Sequence, residues 1–567
     1  MPDANLTAGG ALLRRLKILG IDFVLGNAGT DFPPLIEAMA EAQQRGHAHE
    51  FPEPVVVPHE HAAMSMAHGY YIATGKPLAV IAHTNVGLAN CIIGGINAAC
   101  DRVPILLFSG RTPITERGRP GSRSIPIGWG QEMRDQAGML RELVKWDYEL
   151  RFPEQVPELV DRMHAIALST PPGPVYMSLP REVLADACPG GEVARPVTMR
   201  PAAATTPPER IREAAGLIAA ARHPVIFAQT GPRTRSAFET LATLADRWAI
   251  PVVQYWGTQP AIPTRHPMWA ASEPAPWLEE ADVALVLDSL VPWNPDTHAP
   301  RPDCRIVQIG PDPLHARFPV RNFRTDLALV GTLEDIVPAL AAAMPANPPG
   351  HVAHRRSAIA RRTTDIHRRI DAAAEAGGGA PMSKAWVARC LSDALASRPG
   401  ATVVSELGVP MDPMRLDQPL SFVQAPHAGG LGWGFPAALG IQLADRDRLV
   451  VAAVGDGSYI FSNPTACHQL AEALRLPVLV LVLNNTEWGA VRRAVNAMYP
   501  GGAAAKANRM PFTSLAPCPD FTQVAAASRC RAERVEKGSD LPDALRRALD
   551  HVATRREPAL LDLAIAV

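Results

Sequence analysis

An aspartate between two glycines, with an asparagine pair further along, supplies the residue types that can hold a divalent cation against phosphate. They occur in GDGSYIF, Gly455–Phe461, and in Asn484-Asn485, with the 26 residues 458–483 between the Gly-Asp-Gly triplet and the asparagine pair. Asp456 offers a hard anionic oxygen and Asn485 a neutral carbonyl oxygen, ligands that suit Mg²⁺ when phosphate and water complete its octahedron. Gly455 and Gly457 let the backbone turn tightly and come close to a phosphate. Either piece alone reads equally as a turn, because Gly, Asp and Asn are ordinary turn formers. Each, however, directly follows an apolar run, LVVAAV and PVLVLVL. Both should then emerge side by side at the carboxyl edge of one parallel sheet, where open α/β folds bind ligands.

A second group is suited to proton transfer. Glu60 lies in VVVPHEHAAMSMAHGYYIATGKP, at the end of an apolar strand and the start of an alanine-rich helix. A first-turn glutamate is also what the helix dipole favours. His83, 23 positions after Glu60, leads a small-residue loop in LAVIAHTNVGLAN. Imidazole titrates near neutrality, although a loop histidine needs no function. Thr30, in GNAGTDFP, is either a substrate contact or the N-cap of the next helix. His59 and His61 flank Glu60 as packing or supporting residues, and with His68 they make no metal trio. The segment Gly110–Gly138 carries five arginines and several glycines. It reads as a clamp for an anionic substrate or, the favoured alternative, as a solvated flexible loop.

The elements that must position these residues are short β-branched runs alternating with alanine-rich helical stretches. That alternation predicts doubly wound parallel sheets, an α/β fold, in three domains spanning 1–185, 205–345 and 380–567. Pro-rich passages at Ala194–Glu209 and near Met344, and the AEAGGGAP stretch, read as linkers. At 567 residues the chain is too long for one core. A net charge of −1 gives no electrostatic case for nucleic acid or an acidic membrane surface. No stretch of about 18 apolar residues spans a bilayer. Eight scattered cysteines without a C-x-x-C pair read as reduced thiols. With no signal-peptide pattern at the N-terminus, the expected location is cytoplasmic.

GDGS, about 26 residues and then NN resemble the signature of the thiamine-diphosphate-dependent enzymes. The three-domain plan is similar to the branch of acetolactate synthase, pyruvate decarboxylase and benzoylformate decarboxylase, over almost the whole chain. The resemblance implies a pyrimidine-binding first domain, a central domain and a diphosphate-binding third domain. It implies Mg²⁺ held by Asp456, Asn485 and the backbone carbonyl of Glu487, with Gly455, Gly457 and Ser458 near the phosphates. Gly429, Gly430 and Leu431 would hold the aminopyrimidine, Leu431 as the apolar wedge that bends the cofactor, and Gly408 is a further cofactor-binding position. Glu60 becomes the carboxyl that bonds the pyrimidine ring nitrogen, where an amide could not relay a proton. His83 matches a proton-handling histidine of benzoylformate decarboxylase, and Thr30 the serine that contacts the substrate carboxylate there. Trp488 and Arg492 fall at pocket-lining positions. A homodimer or homotetramer is implied, with Glu60 and Asp456 of different chains serving one cofactor.

The resemblance has limits. The central strand VALVLDSLVPWNPD lacks the arginine and paired aspartates with which acetolactate synthases bind FAD, which speaks against FAD here. A second benzoylformate decarboxylase histidine has no match, His298 being out of register. The expected enzyme is therefore a thiamine diphosphate- and Mg²⁺-dependent lyase or ligase acting on a 2-oxo acid or aldehyde, by decarboxylation with or without carboligation. The alternatives are a 2-hydroxyacyl-CoA lyase, a sulfoacetaldehyde acetyltransferase-type enzyme, or a non-catalytic cofactor-binding relative.

Overall fold

Runs of wholly buried aliphatic residues set the architecture of the chain, for which a computed structural model describes residues 6–112, 114–123, 125–189, 193–507 and 510–566. The first sheet holds β1 (Phe23–Gly26), β2 (Glu53–Val56), β3 (Ala79–Ala82), β4 (Leu106–Arg111), β5 (Asp147–Glu149) and β6 (Val175–Pro180), in the order β2-β1-β3-β4-β6-β5. All its pairs are parallel, with Leu25 opposite Val80, Val80 opposite Leu107 and Leu107 opposite Tyr176. Its inner strands are buried on both faces, which is why they read as unbroken apolar runs rather than alternating ones.

A second parallel sheet holds β7 (Pro224–Ala228), β8 (Val252–Val253), β9 (Val283–Leu287), β10 (Arg305–Gly310) and β11 (Leu327–Val330), ordered β8-β7-β9-β10-β11. A third holds β12 (Thr402–Glu406), β13 (Phe422–Gln424), β14 (Val450–Gly455), β15 (Val478–Asn484), β16 (Arg531–Val535) and β17 (Ala559–Ala564), ordered β13-β12-β14-β15-β17-β16. The three parallel-sheet α/β domains expected from the strand pattern are thus present. In the first sheet the winding reverses between β1 and β3, and in the third between β12 and β14. Loops diverge at such reversals, leaving a crevice at the carboxyl ends of the strands. Asn27–Asp31 and His83 sit at the first crevice; Gly408 and Asp456 sit at the other.

Packing cuts across the sequence divisions. One compact unit runs up to Ala202 and also takes Pro426–Asp447 and Ser458–Leu476; the other takes Ala203–Ala425, Arg448–Gly457 and everything from Pro477 on. The first unit is organised around α1 (Glu60–Thr74), α2 (Thr84–Cys100) and α3 (Gly434–Ala444). Twelve of the fifteen residues of α1 and ten of the eleven of α3 are buried, so neither keeps a polar face, as expected of helices covered on all sides. They cross backbone to backbone. A Cβ at Gly69 would collide with the carbonyl of Ala437, and one at Gly440 with the carbonyl of Met66. Beside this crossing the ring of His68 meets Trp433 edge-on, with centroids 5.3 Å apart. Among the described residues no helix is long and apolar enough to cross a membrane.

The crossing makes a stability prediction with its own control. Gly440→Ala or Gly69→Ala should force the two helices apart and destabilise the protein by about 1–3 kcal/mol. Gly216→Ala, mid-helix in Pro208–Ala220 where a Cβ meets nothing within 4 Å, should stabilise it by roughly 0.5–1 kcal/mol. Thermal and denaturant midpoints of the three variants give the answer, and equal shifts would remove the crossing from its structural role.

Candidate active site

The loop that follows β1 governs the first crevice. Asn27 donates to Glu60 Oε1 at 2.9 Å, and Asn90 on α2 donates to Glu60 Oε2 at 2.9 Å. Glu60 is the first residue of α1 and 5% exposed. Gly87 leaves the room it needs, since a Cβ there would lie 2.9 Å from Oε1. Two amide donors and a helix N-terminus therefore hold a nearly buried carboxyl, to which no ion pair is made among the described residues.

Four residues further along the same loop, Asp31 is 2% exposed and reaches His83. Its Oδ1 lies 2.5 Å from His83 Nδ1, and its Oδ2 accepts the backbone N–H of Thr84 at 3.1 Å. A carboxylate at Nδ1 sets the tautomer: Nδ1 carries the proton and Nε2 keeps its lone pair. Gln131 completes the arrangement with its Nε2 3.1 Å from His83 Nε2. Thr84 has φ 40°, a left-handed conformation that a β-branched residue adopts only under constraint. Asp31 supplies that constraint, and Gly29 makes way for the ring, because a Cβ there would strike His83. Thr30 itself is exposed, and its carbonyl accepts from Arg181 at 2.8 Å. It is not an N-cap, since the next helix, Pro33–Gln44, is preceded by Phe32.

The Arg-rich segment differs from the solvated loop that its composition favours. Thr115 bonds the buried Glu182 through both N and Oγ1, at 3.0 and 2.9 Å. Gln136 bonds Ser109, Gly110 and Tyr176. Between these ties Arg123 and Gln131 are buried at 5% and 7% exposure. Arg111 is neutralised by Glu132 and Glu149. Glycines and arginines on the page of a sequence suggest exposure; here buried glutamine and glutamate side chains capture the segment's backbone and hydroxyls.

The loop before α3 is held in the same unit. Asn97 exchanges bonds with Gly430, donating at 2.8 Å and accepting at 3.2 Å, and His61 Nε2 lies 3.0 Å from the carbonyl of Leu431. Burial pushes the His61 imidazole down to about 4, so it stays neutral and donates from Nε2. Gly429 and Gly432 have φ 73° and 84°, and a Cβ at Gly432 would meet the backbone of Phe461. Leu431 is thus brought to α1, the helix that carries Glu60, and Gly430 to α2 beside it.

In the other unit, Asp456 follows β14 and is 4% exposed. Its Oδ1 accepts Gly457 N at 2.8 Å, while Oδ2 is buried without a partner. Burial raises the acid's pKa, opposed by backbone N–H groups of Gly457, Thr486, Glu487 and Asn485. Asn485 Oδ1 accepts Glu487 N at 3.1 Å. The Glu487 carboxylate is committed to Arg492 at 2.8 and 2.5 Å and to Thr513 at 2.5 Å, while its backbone carbonyl accepts Gly489 N at 2.8 Å and keeps its second lone pair for a cation. Arg492 is therefore an ion-pair partner, and Trp488 stacks against Gly457, where a Cβ would strike its ring. Gly408 is required by a close pass of its backbone against Ala453. Ser458, which packs with the first unit, has a buried and unpartnered Oγ. Lys384 donates to the Leu407 carbonyl; burial and then Arg493 push its ammonium down to about 8, with Asp456 opposing. No group of three His, Cys, Asp or Glu side chains that could hold a metal occurs among the described residues. One buried acid with amide and carbonyl oxygens beside a cationic pair is instead the donor set that fits Mg²⁺ carrying phosphate oxygens.

Family models agree with this layout. The thiamine pyrophosphate enzyme N-terminal TPP binding domain matches residues 6–139, the central domain 211–340 and the C-terminal TPP binding domain 409–563. The chain belongs to the thiamine pyrophosphate enzymes. Within that family it is 26% identical over 565 residues to an acetolactate synthase of Mycobacterium bovis, covering 96% of this chain and 86% of the relative. It is 28% identical over 512 residues to a probable 2-ketoarginine decarboxylase of Pseudomonas aeruginosa, covering 87% and 84%. In fold it resembles the thiamine diphosphate-dependent 4-hydroxybenzoylformate decarboxylase of Rhodococcus jostii, with TM-score 0.76, 24% identity and 99% of both chains covered. It also resembles the benzoylformate decarboxylase of Polynucleobacter necessarius, with TM-score 0.78, 20% identity and coverage of 99% and 98%.

Asn27, Asp31, Asn90, Asn97 and Gln131 carry the geometry and escaped the sequence reading. The signal for two of them is present: Asn90 and Asn97 stand seven residues, two turns, apart on a helix that is otherwise largely apolar. Asp31 makes the prediction here. Asp31→Asn should leave His83 as a mixture of tautomers where the wild type shows only Nδ1–H, read from imidazole ¹⁵N shifts. It should also cost about 1–3 kcal/mol through the lost support of Thr84. A wild-type Nε2–H tautomer would contradict the assignment.

Proposed function

We propose that this thiamine pyrophosphate enzyme releases carbon dioxide from a 2-oxo acid, and that His83 moves the proton that completes turnover. The observation that carries the reading is His83 Nδ1 on the buried Asp31 carboxylate, next to the loop that also holds Glu60. Relatives named as decarboxylases of 2-ketoarginine and of 4-hydroxybenzoylformate support the substrate class. Thiamine diphosphate, when bound, supplies the electron sink that loss of carbon dioxide requires.

The chain's own residues divide the remaining work. Asp456 Oδ2, Asn485 Oδ1 and the Glu487 carbonyl would hold Mg²⁺, which would let diphosphate charge be buried at a strand edge. Gly455, Gly457 and Ser458 lie by the phosphates, with Lys384 and Arg493 contributing positive charge. Gly429, Gly430 and Leu431 would receive the pyrimidine, Glu60 would exchange a proton with its ring nitrogen, and Gly408 is a further cofactor-binding residue. Thr30, facing solvent beside Asp31, meets the incoming carboxylate. The substrate gains one proton for the carbon dioxide it loses: His83 takes that proton from solvent at Nε2, Asp31 stabilises the imidazolium, and Nε2 passes the proton to the substrate carbon. The enzyme works in the cytoplasm as a homodimer or homotetramer, a reading supported by its free cysteines and by the family's shared-site plan.

The test separates the two roles. Glu60→Gln should slow hydrogen exchange at the cofactor's C2 by about 10²- to 10⁴-fold while leaving the cofactor bound. Asp456→Asn should instead abolish Mg²⁺-dependent cofactor retention on gel filtration. Carbon dioxide release is then measured across a panel of 2-oxo acids. A Glu60→Gln enzyme that exchanges at full rate, or a wild type inert toward every 2-oxo acid, overturns the reading.

A further inference from the structure

Only two arginines among the described residues are fully buried, and they differ in how their charge is met. Arg15, 0% exposed, is saturated. Its Nε and Nη2 donate to Asp161 at 2.7 and 2.6 Å, its Nη1 to the carbonyls of Val193 and Arg195, and Nη2 also to Pro196. Arg123, 5% exposed, has one bond to the described residues, from Nη1 to Gln131 Oε1 at a long 3.5 Å. Its Nη2 is buried without a partner, and among the described residues no carboxylate pairs with it. A guanidinium cannot shed its proton at any relevant pH, so burial without a counter-anion is strongly unfavourable. Arg15 shows what a structural buried arginine looks like in this chain. Arg123 is one anion short of it.

The missing anion has an address. Gln131 turns its oxygen to Arg123 and its nitrogen to His83 Nε2, so the amide is oriented from both sides. The chain Arg123–Gln131–His83–Asp31 therefore ends at the imidazole assigned above to proton transfer, whose side chain is one-fifth exposed. We propose that Arg123 is a specificity-determining residue that reads a second anionic group on the substrate, so that the natural 2-oxo acid is a diacid or an equivalent doubly anionic molecule. The inference rests on the activity proposed above. The anion in question is not the reacting carboxylate. That group loses its charge as carbon dioxide departs, and a buried guanidinium clamped on it would stabilise the ground state more than the transition state. Arg123 suits an anion whose charge survives the reaction, and the fork of a guanidinium matches a carboxylate in two bonds. A substrate tail that is cationic, as in 2-ketoarginine, would meet repulsion at the same place.

The test uses full-length holoenzyme loaded with thiamine diphosphate and Mg²⁺. kcat/KM is compared for 2-oxoglutarate, for 2-oxopentanoate of the same chain length without the second carboxylate, and for 2-ketoarginine. The wild type should prefer the diacid over the mono-acid by roughly 10²-fold, the range expected when a buried charge gains its partner. Arg123→Met should collapse that ratio toward one, and Arg123→Lys should recover part of it. Glutarate binding, followed by calorimetry without turnover, should weaken in the same order. A wild type that handles 2-oxopentanoate or 2-ketoarginine as well as the diacid overturns this inference alone. So does an Arg123→Met variant whose preference is unchanged. Loss of C2 exchange and of all 2-oxo acid turnover in the wild type overturns the underlying activity and this inference with it.

Discussion

A single buried carboxylate, Asp31, ties the first crevice together. One of its oxygens takes the imidazole of His83 and the other takes the backbone N–H of Thr84, whose left-handed conformation is strained for a β-branched residue. Ring orientation and backbone strain are thus settled by the same group. The loop that carries Asp31 also carries Asn27, so the carboxyl of Glu60 and the imidazole of His83 take their positions from five consecutive residues between β1 and the following helix. This economy follows from topology: the loop lies where the winding of the sheet reverses, and it is free to face both neighbours.

How much of this was legible beforehand depends on whether a residue works through its type or through its partner. Asp456, Asn485, Glu60 and His83 stood out because strand tips, glycines and acid–base chemistry leave a local pattern. The parallel sheets did so too, through continuous apolar runs such as LVVAAV and PVLVLVL. Asp31 could not be told from an ordinary loop aspartate, since its meaning lies in a histidine 52 positions away. Gln131 and Arg123 were obscured by composition: a segment rich in glycine and arginine looks solvated, and only the ties to Glu182, Ser109 and Tyr176 bury it. The grouping of Pro426–Asp447 with the N-terminal sheet was equally invisible, because close helix crossing leaves a signature of single glycines that serve many other purposes.

Incomplete electrostatics mark where the chain expects company. Most buried polar groups in a folded protein find partners within it. Arg15 with Asp161 and Asn484 with Asp562 are satisfied pairs of this kind. Asp456 Oδ2 and Arg123 Nη2 are not, and each lies at the carboxyl end of a parallel sheet or in the segment covering one. The first is the oxygen proposed to meet a cation and the second the nitrogen proposed to meet an anion. Opposite deficits of charge, each at its own site, are a more specific guide to ligands than the size of any cavity.

The joint between Gly69 and Gly440 acts as a mechanical datum. Where helices meet through large side chains, repacking shifts one along the other by an ångström or more; where carbonyls abut glycine Cα atoms there is nothing to repack. The start of α1, with its carboxyl, and the turn entering α3, with Leu431, are both measured from that fixed mark. Drift in sequence elsewhere on either helix can then alter stability or surface without moving the reactive groups relative to each other, which leaves the loops above β1 and β3 free to diversify for new substrates.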